Sequence, residues 1–264
     1  MTAHTDDVAA APRGAAATVL STEGLTWGVG GFVIIEDVTL DVAEGEFLSI
    51  IGPNGAGKTS LLNVISGTNK AREGRVHLRG QDITRLRPAA RVRRGLGRTF
   101  QTSSLFPNLT LAENTRLAAQ AARGGSMSLL TRPRWGDAAT QAGLEALAEV
   151  GLADRADQPV ADLAHGDKRK LEIALLLCSD PDVLLLDEPT AGVSVEEVDP
   201  LVRVVRDVHA RGRTVVMVEH RIELVVDVSD RIAVMHNGRL LTVGDPGEVM
   251  ADATVQSAYL GETE

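Results

Sequence analysis

Cysteine and aromatic residues are scarce in this sequence. Cys178 is the single cysteine in 264 residues, and Phe, Trp and Tyr together make up 3% of the chain. A single cysteine excludes an intramolecular disulfide framework and any metal site that requires two thiolate ligands. The composition is therefore that expected of a protein in a reducing compartment.

Positive charge and long apolar runs are also in short supply. Lys and Arg total 27 against 36 Asp and Glu, which gives a net charge of −9. An acidic chain argues against general nucleic-acid binding, which needs a positive surface to displace counterions. The longest apolar runs, at residues 174–178 and 183–186, are far shorter than the roughly 20 residues that span a bilayer. Any membrane role is therefore expected to come through a partner.

The apolar pattern predicts an α/β fold. Residues 183–186 and 215–218 are continuously apolar, as expected of parallel strands covered on both faces. Helical periodicity fills the intervals between strands, and the Asn237-Gly238 pair predicts a hairpin. We predict strands at residues 47–51, 75–78, 183–187, 214–219 and 231–236, and helices at residues 137–150, 166–178 and 196–211.

The chain divides into a tail and one folded domain. Residues 1–18 are rich in alanine and predict a disordered tail, whereas residues 19–262 predict the domain. Strand signals are few between Thr99 and Leu163, which indicates an inserted helical subdomain at about residues 102–178. Its first helix is marked by a capping box from Thr110 to Glu113, and residues 123–135 have the composition of a loop.

The strand at 47–51 leads into a phosphate-binding loop. Residues 52–59 follow the pattern G-x-x-x-x-G-K-[ST] between a strand and a helix. Glycines allow the main chain to curve so that its N–H groups point at phosphate oxygens, next to a helix N-terminus. Lys58 is expected to reach the β- and γ-phosphates and Thr59 to bind Mg²⁺. The predicted nucleotide-binding residues are Gly52, Pro53, Asn54, Gly55, Ala56, Gly57, Lys58, Thr59 and Ser60.

Two carboxylates end a buried strand, at Asp187 and Glu188. Neighbouring residues on a strand point in different directions, so the two carboxylates are expected to have different tasks. We predict that Asp187 holds Mg²⁺ through water and that Glu188 polarises a water that attacks the γ-phosphate. The alternative is a strand that ends at the surface in ordinary acidic residues.

Three further residues are weaker candidates on their own. His220 follows a strand and is either structural or a γ-phosphate contact. Gln101 stands where the sheet gives way to the helical insert, and its amide is suited to bind both water and a magnesium ligand. Gly166 opens a helix, so it marks either an ordinary helix start or a second phosphate seat.

In this order and spacing, the motifs resemble those of the nucleotide-binding subunits of ATP-binding-cassette (ABC) transporters, from about Thr18 to Gly261. The resemblance implies a P-loop ATPase core with a small antiparallel β region. It implies ATP and Mg²⁺ as cofactors, with catalysis by Glu188, His220 and Gln101 and metal binding by Thr59, Gln101 and Asp187. Residues 163–167 match the signature motif, and residues 191–195 match the D-loop.

The same resemblance implies partners. Two such subunits, identical or different, would sandwich ATP, with Gly166 reaching the partner's nucleotide in trans. The pair would dock on transmembrane permease subunits at the cytoplasmic face of the membrane, served indirectly by a solute-binding protein. Residues 97–101, 171–174 and 258–261 are similar to the ATPases of branched-chain amino acid and urea uptake.

The sequence departs from the family pattern at several positions. Ala164 and His165 replace the usual Ser-Gly of the signature, so its serine hydroxyl is missing. Ser194 stands at the D-loop aspartate position, where residues 194–197 also predict a capping box. Val29 falls where an aromatic residue should stack on adenine.

Other functions and one segment are left open. The alternatives are an exporter ATPase for a lipid-like substrate, a non-transport ABC ATPase, and a P-loop kinase or GTPase, the last disfavoured because no Asn-Lys-x-Asp guanine motif occurs. An arginine segment is either a solvated helical face or a contact for a partner or anionic headgroups. It comprises Arg85, Arg87, Arg91, Arg93, Arg94 and Arg98.

Overall fold

The structure is a computed structural model that describes residues 17–99, 105–123 and 137–260. The strands in these ranges are β1 (Thr18–Val29), β2 (Phe32–Ala43), β3 (Phe47–Ile51), β4 (Glu73–Leu78), β5 (Gln81–Asp82), β6 (Leu96–Arg98), β7 (Val183–Asp187), β8 (Thr214–Val218), β9 (Arg231–His236) and β10 (Arg239–Gly244). The α-helices are α1 (Lys58–Ile65), α2 (Pro88–Val92), α3 (Leu111–Ala122), α4 (Ala138–Glu149), α5 (His165–Leu177), α6 (Val195–Ala210), α7 (Ile222–Val228), α8 (Pro246–Ala251) and α9 (Ala253–Leu260). Two short 3-10 helices lie at Ala153–Arg155 and Val160–Asp162.

The larger sheet is mostly parallel and has the order β10-β9-β3-β8-β7-β6. Strands β9, β3, β8, β7 and β6 pair in parallel, and β10 adds an antiparallel edge. The predicted α/β fold with a P-loop core is confirmed. Because β3, β8 and β7 are neighbours and parallel, their carboxyl ends lie side by side.

Both faces of this sheet are covered. In β7, Val183 and Leu185 pack in the core that contains α1, whereas Leu184 and Leu186 pack in the core that contains α5 and α6. Alternate residues of a strand point to opposite faces, so a strand buried on both sides must be apolar throughout. This packing explains the continuous apolar run on which the strand prediction rested.

A smaller antiparallel sheet has the order β2-β1-β4-β5. It covers the α1 side of the molecule, because Leu25 of β1, Ile35 of β2 and Val76 of β4 share a core with Leu61 and Leu62. The predicted hairpin lies between β9 and β10 and is present, with Asn237 and Gly238 at φ 47° and 78°. Positive φ at both turn residues is what Asn-Gly favours.

Between β6 and β7 the described residues form helices and turns, with one isolated β-bridge between Thr110 and Pro159. The capping box of α3 is confirmed: the Thr110 hydroxyl accepts a hydrogen bond from the Glu113 N–H at 3.1 Å, and the Glu113 carboxylate accepts one from the Thr110 N–H at 2.8 Å. The extents of the tail and of the helical subdomain stay predictions, since residues 1–16 and 124–136 lie outside the described ranges.

Cys178 caps the carboxyl end of α5 and packs, partly buried, against the core of this helical region. Its thiol donates a hydrogen bond to the Thr115 carbonyl at 3.3 Å, and burial raises the pKa of the thiol to about 12. None of the helices in the described ranges has both the length and the apolar character needed to cross a bilayer.

The arginine segment is not one solvated face. Arg85, Arg87, Arg93 and Arg94 are exposed, but Arg91 and Arg98 are buried. The solvated-face interpretation is therefore wrong for these two residues. Helix α2 is a single short turn begun by Pro88, and it directs Arg91 inward rather than presenting all six side chains to water.

Candidate functional site

The loop at residues 52–57 joins β3 to α1, and close packing requires two of its glycines, Gly52 and Gly57. Gly57 has φ 97° and precedes α1, and a Cβ there would lie 2.8 Å from Ile35 Cγ2. A Cβ on Gly52 would lie 2.1 Å from the Met235 carbonyl oxygen. Any larger residue would push this loop away from β2 and β9. The close packing keeps the first N–H groups of α1 at the mouth of the loop, and such groups bind anions.

Lys58 lies inside this loop. Its Nζ donates hydrogen bonds to the carbonyl oxygens of Gly52 and Pro53 at 2.6 and 2.8 Å, and the residue is 5% exposed. Asn54 and Gly55 form the exposed tip, while the Ala56 carbonyl accepts a hydrogen bond from the Gly238 N–H at 3.1 Å. The loop thus places a buried cation where phosphate oxygens would enter.

Thr59 and Asp187 meet across the loop. The Thr59 hydroxyl donates a hydrogen bond to Asp187 Oδ1 at 3.1 Å. Hydroxyl and carboxylate oxygens are ligands that Mg²⁺ prefers, and in nucleotide sites the phosphates supply further oxygens. No group of three or more His, Cys, Asp or Glu residues suited to a metal occurs in the described ranges. The Thr59 hydroxyl and the Asp187 carboxylate thus offer two oxygen ligands of the kind that Mg²⁺ prefers.

Glu188 and His220 form a second pair, next to the first. His220 Nε2 lies 2.6 Å from Glu188 Oε1, and both side chains are partly open to solvent. Glu188 has φ 48°, in the left-handed region that a non-glycine residue seldom adopts. Strain of this kind occurs at sites where the direction of a side chain matters. Here the Glu188 carboxylate is paired with His220, whereas that of Asp187 is paired with Thr59.

Glu219 supports this pair from the interior. The buried carboxylate accepts hydrogen bonds from the Thr190 N–H at 3.0 Å, from the Thr190 hydroxyl at 2.6 Å and from the His220 N–H at 3.0 Å. It thereby ties the segment after Glu188 to the segment that carries His220. Sequence reasoning named neither Glu219 nor Thr190. The only signal was an acidic residue directly after an apolar strand.

Gly166 is at the start of α5 and contacts a different part of the chain. Its N–H donates a hydrogen bond to Glu197 Oε1 at 3.2 Å. The helix begins at His165, with Ala164 as an N-cap that makes no side-chain cap bond. Burial alone would raise the pKa of Asp167 in the next turn, but hydrogen bonds from Lys170 and Arg155 outweigh it, and the pKa is lowered. The role of Gly166 toward a partner's nucleotide stays a prediction.

The predicted capping box at Ser194 is wrong. Ser194 is the N-cap of α6, but its hydroxyl donates a hydrogen bond to Glu197 Oε2 at 3.0 Å and accepts none from the first turn. The physical reason is the Gly166 N–H, which draws the Glu197 carboxylate across to α5. Glu197 thus links Gly166 of the signature segment to Ser194 of the D-loop segment.

Gln101 and Val29 are the remaining predicted positions. Gln101 lies outside the described residues. Val29 is 57% exposed at the tip of the β1–β2 hairpin, directly opposite Phe32, which is 80% exposed. The structure thus brings Lys58 and Thr59 together with Asp187, and Glu188 together with His220, along the carboxyl ends of β3, β7 and β8.

These features define a nucleotide-binding ATPase cassette, and comparison with known proteins gives the family. The profile of the ABC transporter family matches residues 35–191. The chain belongs to the ABC transporter family, as one of its ATPase cassettes. The resemblance drawn from the motifs is confirmed.

Two similar proteins are ATP-binding proteins of branched-chain amino acid transport. The high-affinity branched-chain amino acid transport ATP-binding protein LivG of Salmonella typhimurium is 37% identical over 252 residues, covering 92% of this chain and 98% of that protein. BraF of Pseudomonas aeruginosa, with the same description, is 35% identical, again over 92% of this chain and 98% of that protein. The crystal structure of a nucleotide-free cassette from an ABC transporter superimposes with a TM-score of 0.82 at 31% identity, covering 93% of this chain and 100% of that one. An ADP-bound cassette matches with the same TM-score, 0.82, and the same coverage at 31% identity.

Proposed function

We propose that this chain binds ATP with Mg²⁺ and hydrolyses it to energise a membrane permease that imports branched-chain amino acids. The observation that carries the proposal is the convergence of Lys58, Thr59, Asp187, Glu188 and His220 at one edge of the sheet. The names of LivG and BraF support the amino acid as cargo. Transporter ATPases act beside their permease, so we place the chain at the cytoplasmic face of the membrane.

The residues divide the reaction between them. Lys58 and the N–H groups at the start of α1 bind and orient the phosphates, and Thr59 and Asp187 hold the cation. Bound Mg²⁺ neutralises charge on the phosphates. Glu188 accepts a hydrogen bond from the attacking water and takes up its proton, while His220 fixes the direction of the Glu188 carboxylate. Gln101 is the remaining residue predicted to act in catalysis and in metal binding.

Two cassettes are expected to close on ATP, each adding its Gly166 N–H to the partner's γ-phosphate. In the free chain this N–H donates a hydrogen bond to the Glu197 carboxylate, so it is a donor able to bind an anionic oxygen. Bound γ-phosphate would favour the closed pair, and hydrolysis would remove that preference. This cycle would move the permease.

The permease is expected to dock in a groove between α2, α3 and α5. This cavity of about 350 Å³ has an apolar lining that includes Val92, Leu96, Ala118, Ala121 and Leu176. Arg93 stands in its lining and Arg94 beside it, both exposed. An apolar groove with a cationic rim suits a short amphipathic helix that carries acidic residues. We assign that helix to the permease.

The test is to separate binding from turnover. Glu188→Gln should keep ATP affinity but lower hydrolysis by about 10²-fold or more, because a general base is removed. Lys58→Ala should weaken ATP binding itself. Titration with a fluorescent ATP analogue and a steady-state phosphate assay measure both quantities.

Light scattering measures whether the chain forms a dimer. Glu188→Gln should form a dimer with ATP and Mg²⁺ and remain monomeric with ADP. Unchanged turnover in Glu188→Gln would remove this residue from the mechanism. Absence of any ATP-dependent dimer, even with permease supplied, would contradict the sandwich.

A further inference from the structure

Two buried arginines lie beside α1 and come from the same segment of sequence. Arg91 and Arg98 are only 2% and 8% exposed. A buried guanidinium stays charged and is costly to bury without acceptors for its N–H groups. The positions of those acceptors therefore show what each arginine does.

Arg91 bonds only to main-chain carbonyls. Its guanidinium donates hydrogen bonds to Val64 and Ile65 at the end of α1, and to Thr84 and Leu86 before α2. Carbonyl groups at the end of a helix lack partners within the helix, and a cation there is favourable. Arg91 thus connects α2 to the end of α1 by hydrogen bonds.

Arg98 instead bonds to side chains, one of which belongs to the proposed magnesium site. Its Nη2 donates a hydrogen bond to Asp187 Oδ2 at 2.9 Å, and the Asp187 side chain is fully buried. Its Nη1 donates hydrogen bonds to Asn63 Oδ1 and Ser66 Oγ, each at 2.8 Å. One rigid fork therefore joins β7 to the last turn of α1.

The two oxygens of Asp187 face different partners. Oδ1 accepts the hydrogen bond from the Thr59 hydroxyl at 3.1 Å, and Oδ2 accepts the one from Arg98. Because Arg98 holds Oδ2, rotation of the carboxylate is restricted, and Oδ1 remains next to the Thr59 hydroxyl. Groups that orient a metal ligand in this way set metal affinity, although they do not touch the metal.

We propose that Arg98 is the positioning residue of the magnesium site, holding Asp187 by the oxygen opposite Thr59 and anchoring it to α1. The inference rests on the proposed function, because it assumes that Thr59 and Asp187 bind the cation that accompanies ATP. Arg98 also lines the groove assigned to the permease. A partner bound in that groove would therefore contact Arg98, whose guanidinium holds Asp187.

The experiment measures how much Mg²⁺ strengthens nucleotide binding. A fluorescent ATP analogue is titrated into the wild-type chain, Arg98→Met and Arg98→Lys, once with Mg²⁺ and once with EDTA. In the wild type, affinity should be higher with Mg²⁺. In Arg98→Met the affinity in EDTA should be near the wild-type value, whereas the gain from Mg²⁺ should fall by about 10-fold or more. Arg98→Lys keeps the charge but not the fork, so its gain should lie between the two.

Arg91→Met is the matched control, since it also removes a buried cation beside α1. It should lower the thermal midpoint yet leave the gain from Mg²⁺ unchanged. In hydrolysis assays, the Mg²⁺ concentration for half-maximal rate should rise for Arg98→Met and not for Arg91→Met. If Arg98→Met does not fold, Arg98→Lys gives the decisive comparison.

The outcomes separate this inference from the proposed function. A wild-type chain that binds no ATP analogue would overturn both. A wild-type chain that binds the analogue equally with Mg²⁺ and with EDTA would overturn the positioning role together with the cation site at Thr59 and Asp187, and would leave ATP binding intact. The positioning role alone is overturned if the Arg98 variants keep the full gain from Mg²⁺, or if Arg91→Met loses as much of that gain as Arg98→Met does.

Discussion

At the scale of single residues, spacing along the chain decides what the sequence reveals. Residues 52–59 are contiguous, so the phosphate loop could be predicted from its local pattern. Arg98 could not, because its acceptor Asp187 is 89 positions away, and only the packing of β6 against β7 brings them together. The same applies to Gly166 and Glu197, which are 31 positions apart.

Gly166 gives the prediction at this scale. Gly166→Val should lower the ATPase rate of the assembled transporter by about 100-fold, because the added bulk keeps the main-chain N–H from approaching phosphate and one such donor contributes about this much. ATP binding to the isolated chain should stay intact. His165→Ala should be milder, because the phosphate seat is expected to rest on main-chain N–H groups. Phosphate release by the complex and ATP titration of the isolated chain are the two measurements.

Crowding must be separated from the loss of the phosphate seat. A Cβ at Gly166 would lie 2.9 Å from Glu197 Cβ, so the valine also displaces the start of α6. Glu197→Gly removes both the Cβ and the carboxylate of Glu197 while leaving Gly166 intact. If the double variant Gly166→Val/Glu197→Gly regains activity, crowding alone was responsible. Full activity of Gly166→Val would make this an ordinary helix start.

At the scale of elements, periodicity located helices and strands, and pairing corrected their ends. The helix predicted at residues 166–178 spans His165–Leu177. The strand predicted at residues 75–78 begins earlier, at Glu73, because its main chain pairs with Thr26 of β1 whatever its side chains are. Helix α2 is anticipated only as one interpretation of the arginine segment, because no apolar period there fixes its bounds.

The capping box of α3 gives the prediction at this scale. Thr110→Ala should lower the free energy of unfolding by about 1 kcal/mol, because the Glu113 N–H loses its acceptor. Ser194→Ala is the matched control: this residue is also an N-cap, but its hydroxyl accepts no N–H of the helix, so the loss should be smaller. Urea unfolding of both variants is the measurement, and the reverse ranking would contradict the assignment.

At the scale of the whole molecule, the groove connects the chain to a partner. Ala121 is exposed in α3 and lines the groove. Ala121→Glu places a negative charge on its apolar lining and should reduce capture of the permease at least 10-fold, while the isolated chain keeps its ATPase rate. Ala251→Glu, an equal change at the exposed end of α8, is the control. Pull-down with the purified permease measures both, and equal capture would place the permease elsewhere.

The state of Cys178 makes these assemblies open to spectroscopy. It is the only thiol in the chain, and with a pKa raised to about 12 it stays protonated at neutral pH, whereas labelling reagents react with the thiolate. A cysteine introduced at an exposed position would therefore take up a spin label or fluorophore on an otherwise silent background. Distances between labels on two copies could then be followed through an ATP cycle without first removing the native cysteine.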